Sequence, residues 1–170
     1  MIKAMLPLIQ TLFDIARLRK GPEHIPRSTL LLMLAIFLWL FAVLCQVALI
    51  QQIDETDFAL ELFSALVGIS CYSIVVVVFG QGPRLTQTLT AILGCGALVA
   101  IVFTVAYVVL QAIDSPLIMM IAIWAIVLWS ISVKGHIIAS AINRHWYLGM
   151  AIAVFVFVLQ YVVNAFITSS

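Results

Sequence analysis

The sequence predicts an all-α, polytopic membrane helix bundle, with five transmembrane helices preceded by an amphipathic N-terminal helix. Three observations lead there. Of the 170 residues, 65% are hydrophobic and only 9% charged, with a mean hydropathy of +1.26, whereas a soluble domain is about half apolar. Five stretches meet or approach the ~20 apolar residues needed to cross the hydrocarbon of a bilayer. All five prolines, Pro7, Pro22, Pro26, Pro83 and Pro116, fall outside those stretches, so each stretch reads as an unbroken helix.

Taken in order, residues 1–28 form a cytosolic amphipathic helix and basic juxtamembrane segment, and residues 29–170 form the membrane domain. Ile2, Met5, Ile9, Leu12, Phe13 and Ala16 recur at spacings of three and four, with Lys3, Gln10, Asp14 and Arg17 between them. Such a helix can lie in the headgroup plane or pack on the bundle, and Gly21-Pro22 stops it. The spans run from Thr29 to Gln52, Ala59 to Phe79, Leu85 to Gln111, Leu117 to Val133 and Tyr147 to Ile167. The fourth is the shortest and is expected to gain a turn at either end. The links are Ile53 to Phe58, Gly80 to Arg84, Ala112 to Pro116 and Lys134 to Trp146, none large enough for a soluble domain. The first span is too long, and starts too late, for a cleavable signal core.

Orientation follows from the basic residues. Lys3, Arg17, Arg19, Lys20, Arg27, Arg84, Lys134 and Arg144 all fall on one side of this layout, which the positive-inside rule makes the cytosol. The C-terminus is then periplasmic, and a bacterial inner membrane is the expected location. Asp54, Glu55, Asp57, Glu61 and Asp114 fall on the opposite side. The net charge of +1 gives no footprint for nucleic acid.

No reaction is spelled out, and the chain is expected not to be an enzyme. Cys45, Cys71 and Cys95 lie in separate apolar runs without metal or redox spacing, and read as packing residues. His136 and His145 are nine residues apart with no carboxylate between them, so no cofactor or metal is expected. Glu61 and Lys134 are the ionisable residues closest to a span interior, each placed within snorkelling reach of an interface. That disfavours ion-coupled transport, which needs intramembrane charge.

The polar residues expected within the bilayer are neutral, among them Tyr72, Gln87, Thr88, Gln160 and Asn164. Gln160 and Asn164, four apart, share a helix face and either bond neighbouring helices or line a small neutral-ligand site. The small-residue pairs Ser64/Gly68 and Gly96/Ala100 favour close helix contact.

The segments RLRKGPEHIPRS at Arg17 to Ser28, QTLTAILGCGAL at Gln87 to Leu98 and WSISVKGHIIASAI at Trp129 to Ile142 together resemble small bacterial membrane proteins grouped with the Yip1 domain. That resemblance implies five spans with the N-terminus in the cytosol. Eukaryotic relatives carry an aspartate-leucine-tyrosine-glycine-proline motif before the first span, of which only Gly21-Pro22 stands here, so their connection to small GTPases is not carried over.

The expected function is that of a scaffold, assembly factor or accessory subunit of a membrane complex, with Arg17, Arg19, Lys20, Arg27, Lys134 and Arg144 contacting a membrane-protein partner, lipid or another copy of the chain. The alternative is a transporter or pore for a small neutral solute built from Tyr72, Gln87, Gln160 and Asn164.

Overall fold

The computed structural model describes residues 10–50, 55–111, 113 and 115–168. Among them are five helices long and apolar enough to cross a membrane: α1 (Thr29–Ile50), α2 (Glu55–Val78), α3 (Leu85–Gln111), α4 (Pro116–Ala141) and α5 (Trp146–Thr168). Each turns large apolar side chains outward, such as Phe37, Leu66, Val105, Leu128 and Phe155, all more than half exposed. A surface of this kind is stable only against lipid, and the chain is an integral membrane protein.

The helices do not pack in sequence order. α1 lies mainly on α3, α4 lies on α5, α3 joins the two pairs, and α2 closes the ring by packing on α5. The tightest crossing is α4 on α5. There Gly135 and Gly149 remove the side chains that would hold the backbones apart, and a Cβ added to Gly135 would sit 3.1 Å from the Met150 Cα. Small residues allow this approach, and dispersion and close packing are what drive helices together in lipid.

One end of the bundle carries the basic residues. Three helical segments finish there in the same way, with a left-handed residue after the last turn: Leu18 at φ 60°, Gly80 at φ 73° and Asn143 at φ 53°. In each, two amides turn back to cap the helix, for example Arg144 N to Ala139 O at 3.0 Å and Asn143 N to Ser140 O at 3.3 Å. This satisfies carbonyls that would otherwise lack partners. Pro83 leads into α3 through a short 3-10 turn, and Pro116 opens α4, where its missing N–H costs nothing.

Two expected boundaries change. α2 begins at Glu55, so the acidic link is shorter than expected; Asp54 and Asp114 lie outside the described residues. More consequentially, α4 continues through Lys134 to Ala141. Residues 134–141 include Gly135, Ile137, Ile138, Ala139 and Ala141, all buried, and their burial against α5 and the N-terminal segment keeps the helix going. The link expected from Lys134 to Trp146 is only residues 142–145, and Lys134 is inside a span.

The amphipathic segment packs on the bundle instead of lying on the membrane surface. Residues 10–16 are helical, and Leu12, Ile15, Ala16 and Ile25 join Ile92, Cys95, Val133, Ile137 and Ile138 in the buried core. Ile2, Lys3, Met5, Pro7 and Ile9 lie outside the described residues. Four side chains from α3 and α4 hold the segment by its backbone carbonyls. Gln87 donates to Ile25 O, the His136 ring meets Lys20 O at 3.1 Å, Trp129 Nε1 donates to Ala16 O at 3.0 Å, and Cys95 Sγ reaches Leu12 O at 3.6 Å. Cys95 lies eight residues beyond Gln87 on α3, so the segment dips about 12 Å into the bundle from the basic end, at 1.5 Å per helical residue.

Candidate functional site

All five helices line a half-open cavity of about 400 Å³ between them. α1 contributes Trp39 and Gln46, α2 Glu61, Ser64, Gly68 and Tyr72, α3 Gly96 and Phe103, α4 Ser130 and Lys134, and α5 Phe157 and Gln160. Its volume is in the range of sites for small molecules, about 300–1,000 Å³.

Gly68 and Gly96, one from each small-residue pair, seat two of its lining side chains. Gln160 Nε2 donates to the Ser64 carbonyl at 2.7 Å, and a Cβ on Gly68 would sit 2.6 Å from that same nitrogen. Gly68 is therefore the seat for the Gln160 amide, which bridges α5 to α2. Gly96 faces Trp39, whose ring a Cβ there would meet at 3.3 Å. The cavity wall is thus partly aromatic and partly bare backbone.

The charges set this cavity apart from ordinary interhelical packing. Glu61 is exposed where it lines the cavity and Lys134 is half-buried. Among the described residues the ion pairs are Lys20 with Asp14 at 2.7 Å and His24 with Glu23 at 3.3 Å, and Glu61 does not touch Lys134. Two opposite charges line one cavity without meeting, and ionisable groups within membrane spans commonly mark a functional path. Lys134 thus lies within the fourth span, beyond the boundary expected at Val133, while Glu61 is the third residue of the apolar stretch Ala59–Val78. The signal was present in WSISVKGHIIASA, where apolar and small residues continue on both sides of Lys134 at helical spacing.

The other expected residues have separate places. Tyr72, 3% exposed, and Gln160 line the cavity, but Gln87 does not. It is spent at the basic end, donating to Ile25 O and accepting from Arg27 Nε at 3.3 Å. Asn164, one turn further along α5 from Gln160, lies outside the cavity lining. Thr88, Thr90, Ser73 and Thr104 return their hydroxyls to the carbonyl four residues earlier, which satisfies them within their own helices.

Arg17 and Arg19 are exposed at the basic end. Lys20 is drawn onto Asp14, and this hydrogen bond holds the Asp14 carboxyl below its ordinary value of 3.8. Arg144 shares a shallow polar pocket with Arg84, His136 and Glu23. The histidines are employed singly: His24 with Gly21 O and Glu23, His136 with Lys20 O, and His145 stacked on Tyr147 at 5.1 Å. Cys45, Cys71 and Cys95 are free.

The fold and the cavity define a polytopic, all-α integral membrane protein. Comparison with protein-family models, with curated proteins and with solved structures finds no match.

Proposed function

We propose that this chain is a solute-binding membrane protein of the transporter type, with the five-helix cavity as its binding site. One observation carries the reading: Glu61 and Lys134 line the same cavity, together with Gln160, Ser64 and Tyr72. A few convergent polar groups in an otherwise apolar cavity are what a small-molecule site requires. The positive-inside rule supports a cytosolic basic end, with the segment at residues 10–25 on that side and the C-terminus opposite, and a bacterial inner membrane is the location this proposal takes. A Yip1-domain relationship belongs to this proposal on the strength of the three motifs alone.

The test is uptake and binding of a panel of small polar metabolites by protein reconstituted in liposomes and nanodiscs, alongside the cavity-filling variant Ala100→Phe. The expected result is saturable binding or flux that Ala100→Phe abolishes while the protein remains monodisperse. Absence of any saturable solute, or full activity in Ala100→Phe, overturns the reading.

A scaffolding role is favoured by a different observation, the exposure of Arg17 and Arg19 at the basic end. In that case a membrane partner or anionic lipid co-purifies in stoichiometric amount, and charge reversal at Arg19 releases it.

A further inference from the structure

We infer that the solute is an elongated zwitterion, bound with its cationic group toward Glu61 and its anionic group toward Lys134. This rests on the solute-binding reading above and names the chemistry of the same site.

The charges enter from opposite ends of the bundle. Glu61 is six residues from the start of α2, and Lys134 is seven residues before the end of α4. Both helices run from the far end toward the basic end, so at 1.5 Å per residue their backbones are separated by about 15–20 Å along the bundle. A lysine and a glutamate side chain together close roughly 10 Å of that. The remainder is cavity, which fits the absence of an ion pair between them.

A ligand with one charge would pair with one of these groups and leave the other without a counter-charge. A neutral ligand would neutralise neither. A molecule carrying both charges, several ångströms apart, satisfies both at once. Its middle section then passes the Gln160 amide seated on Gly68 and the Trp39 ring seated against Gly96, and the aromatic residues Trp39 and Phe103 in the lining suit a cationic group.

The experiment measures binding to the full-length protein in nanodiscs, with glycine, 4-aminobutyrate and 6-aminohexanoate as probes of charge separation and hexylamine and hexanoate as single-charge controls. At least one of the longer amino acids is expected to bind 10-fold or more tighter than glycine and than either control. Glu61→Gln and Lys134→Gln should each remove that preference. Glu61→Asp and Lys134→Arg should retain it, and they serve as the readout if the neutral variants fail to fold. Equal binding of hexylamine or hexanoate, equal binding of glycine, or a preference unchanged in the neutral variants overturns the zwitterion assignment while leaving a solute site in place. Loss of preference in Glu61→Asp and Lys134→Arg, with both variants folded, also overturns it. If none of these probes binds but the metabolite panel yields a saturable solute of another class, only the zwitterion assignment falls. If the panel yields none either, the solute-binding reading falls with it.

Discussion

Replacing Gly149 with alanine places one methyl group at the closest approach of α4 and α5. The new Cβ would lie 2.6 Å from the Ala139 Cβ and 2.8 Å from its amide nitrogen, with the Gly135 carbonyl oxygen closer still. Ordinary carbon contacts begin near ~3.5 Å, so the two helices must separate by about an ångström. Two of the three obstructing atoms are backbone, and no rotamer change removes them. Overpacking of this kind costs about 1–3 kcal/mol, against which alanine's better helix propensity returns about 1 kcal/mol. The expected net loss is about 0–2 kcal/mol. Gly68→Ala obstructs only the mobile end of Gln160, and Gly96→Ala only grazes Trp39 at 3.3 Å, so the order of stability should be Gly96→Ala, then Gly68→Ala, then Gly149→Ala. Unfolding by increasing SDS in mixed micelles, followed by far-ultraviolet circular dichroism, ranks them. A Gly149→Ala protein as stable as Gly96→Ala would refute the close crossing.

Trp129→Phe removes the donor to Ala16 O and leaves that carbonyl unpaired, a loss of about 1–3 kcal/mol; with Cys45 and Cys71 changed to alanine, alkylation of Cys95 beneath the segment should accelerate, and an unchanged rate counts against the clamp. Leu18→Gly relieves a left-handed residue that costs roughly 1–2 kcal/mol when not glycine, and since Leu18 is 39% exposed the variant should gain about 1 kcal/mol in the same unfolding assay; a loss contradicts the cap. Asp14 has a folded-state pKa below its ordinary 3.8, so its contact with Lys20 contributes above the carboxylate range and fades as pH falls through the lowered value; an NMR titration of its carboxyl carbon should give a midpoint under 3.8, and a higher midpoint removes the contact. Gln87→Leu loses both its bond to Ile25 O and its acceptor for Arg27, and should expose residues 17–27 to protease while the spans stay protected.

Hydropathy and proline placement made the five helices legible, because lipid imposes both span length and internal backbone bonding. Lys134 was misplaced because a charge next to glycine looks like the start of a link. Nothing local reveals that Gly135 is the contact point for Gly149 and that the helix therefore runs on. Gln160 was rightly marked as pointing inward, since its face follows from period and polarity. Gln87 carries the same polarity, and its use as a clamp depends on a segment 62 residues away, which no short window contains. The cavity itself was illegible for the same reason. It exists only because α2 closes on α5 while barely touching its sequence neighbour α1.

The carbonyl clamps also dictate an order of assembly. Three of the four hold partners 83, 113 and 116 residues apart in the chain, and all four donors belong to α3 and α4. As the chain emerges from the ribosome, residues 10–25 are made before both helices, meet Gln87 and Cys95 with α3, and cannot complete their docking until the fourth helix has entered the membrane. Until then their apolar face must be sheltered by lipid headgroups or a chaperone. Full burial of the segment therefore reports that synthesis has passed α4, and a chain truncated before Trp129 should leave the Ala16 and Lys20 carbonyls unclamped.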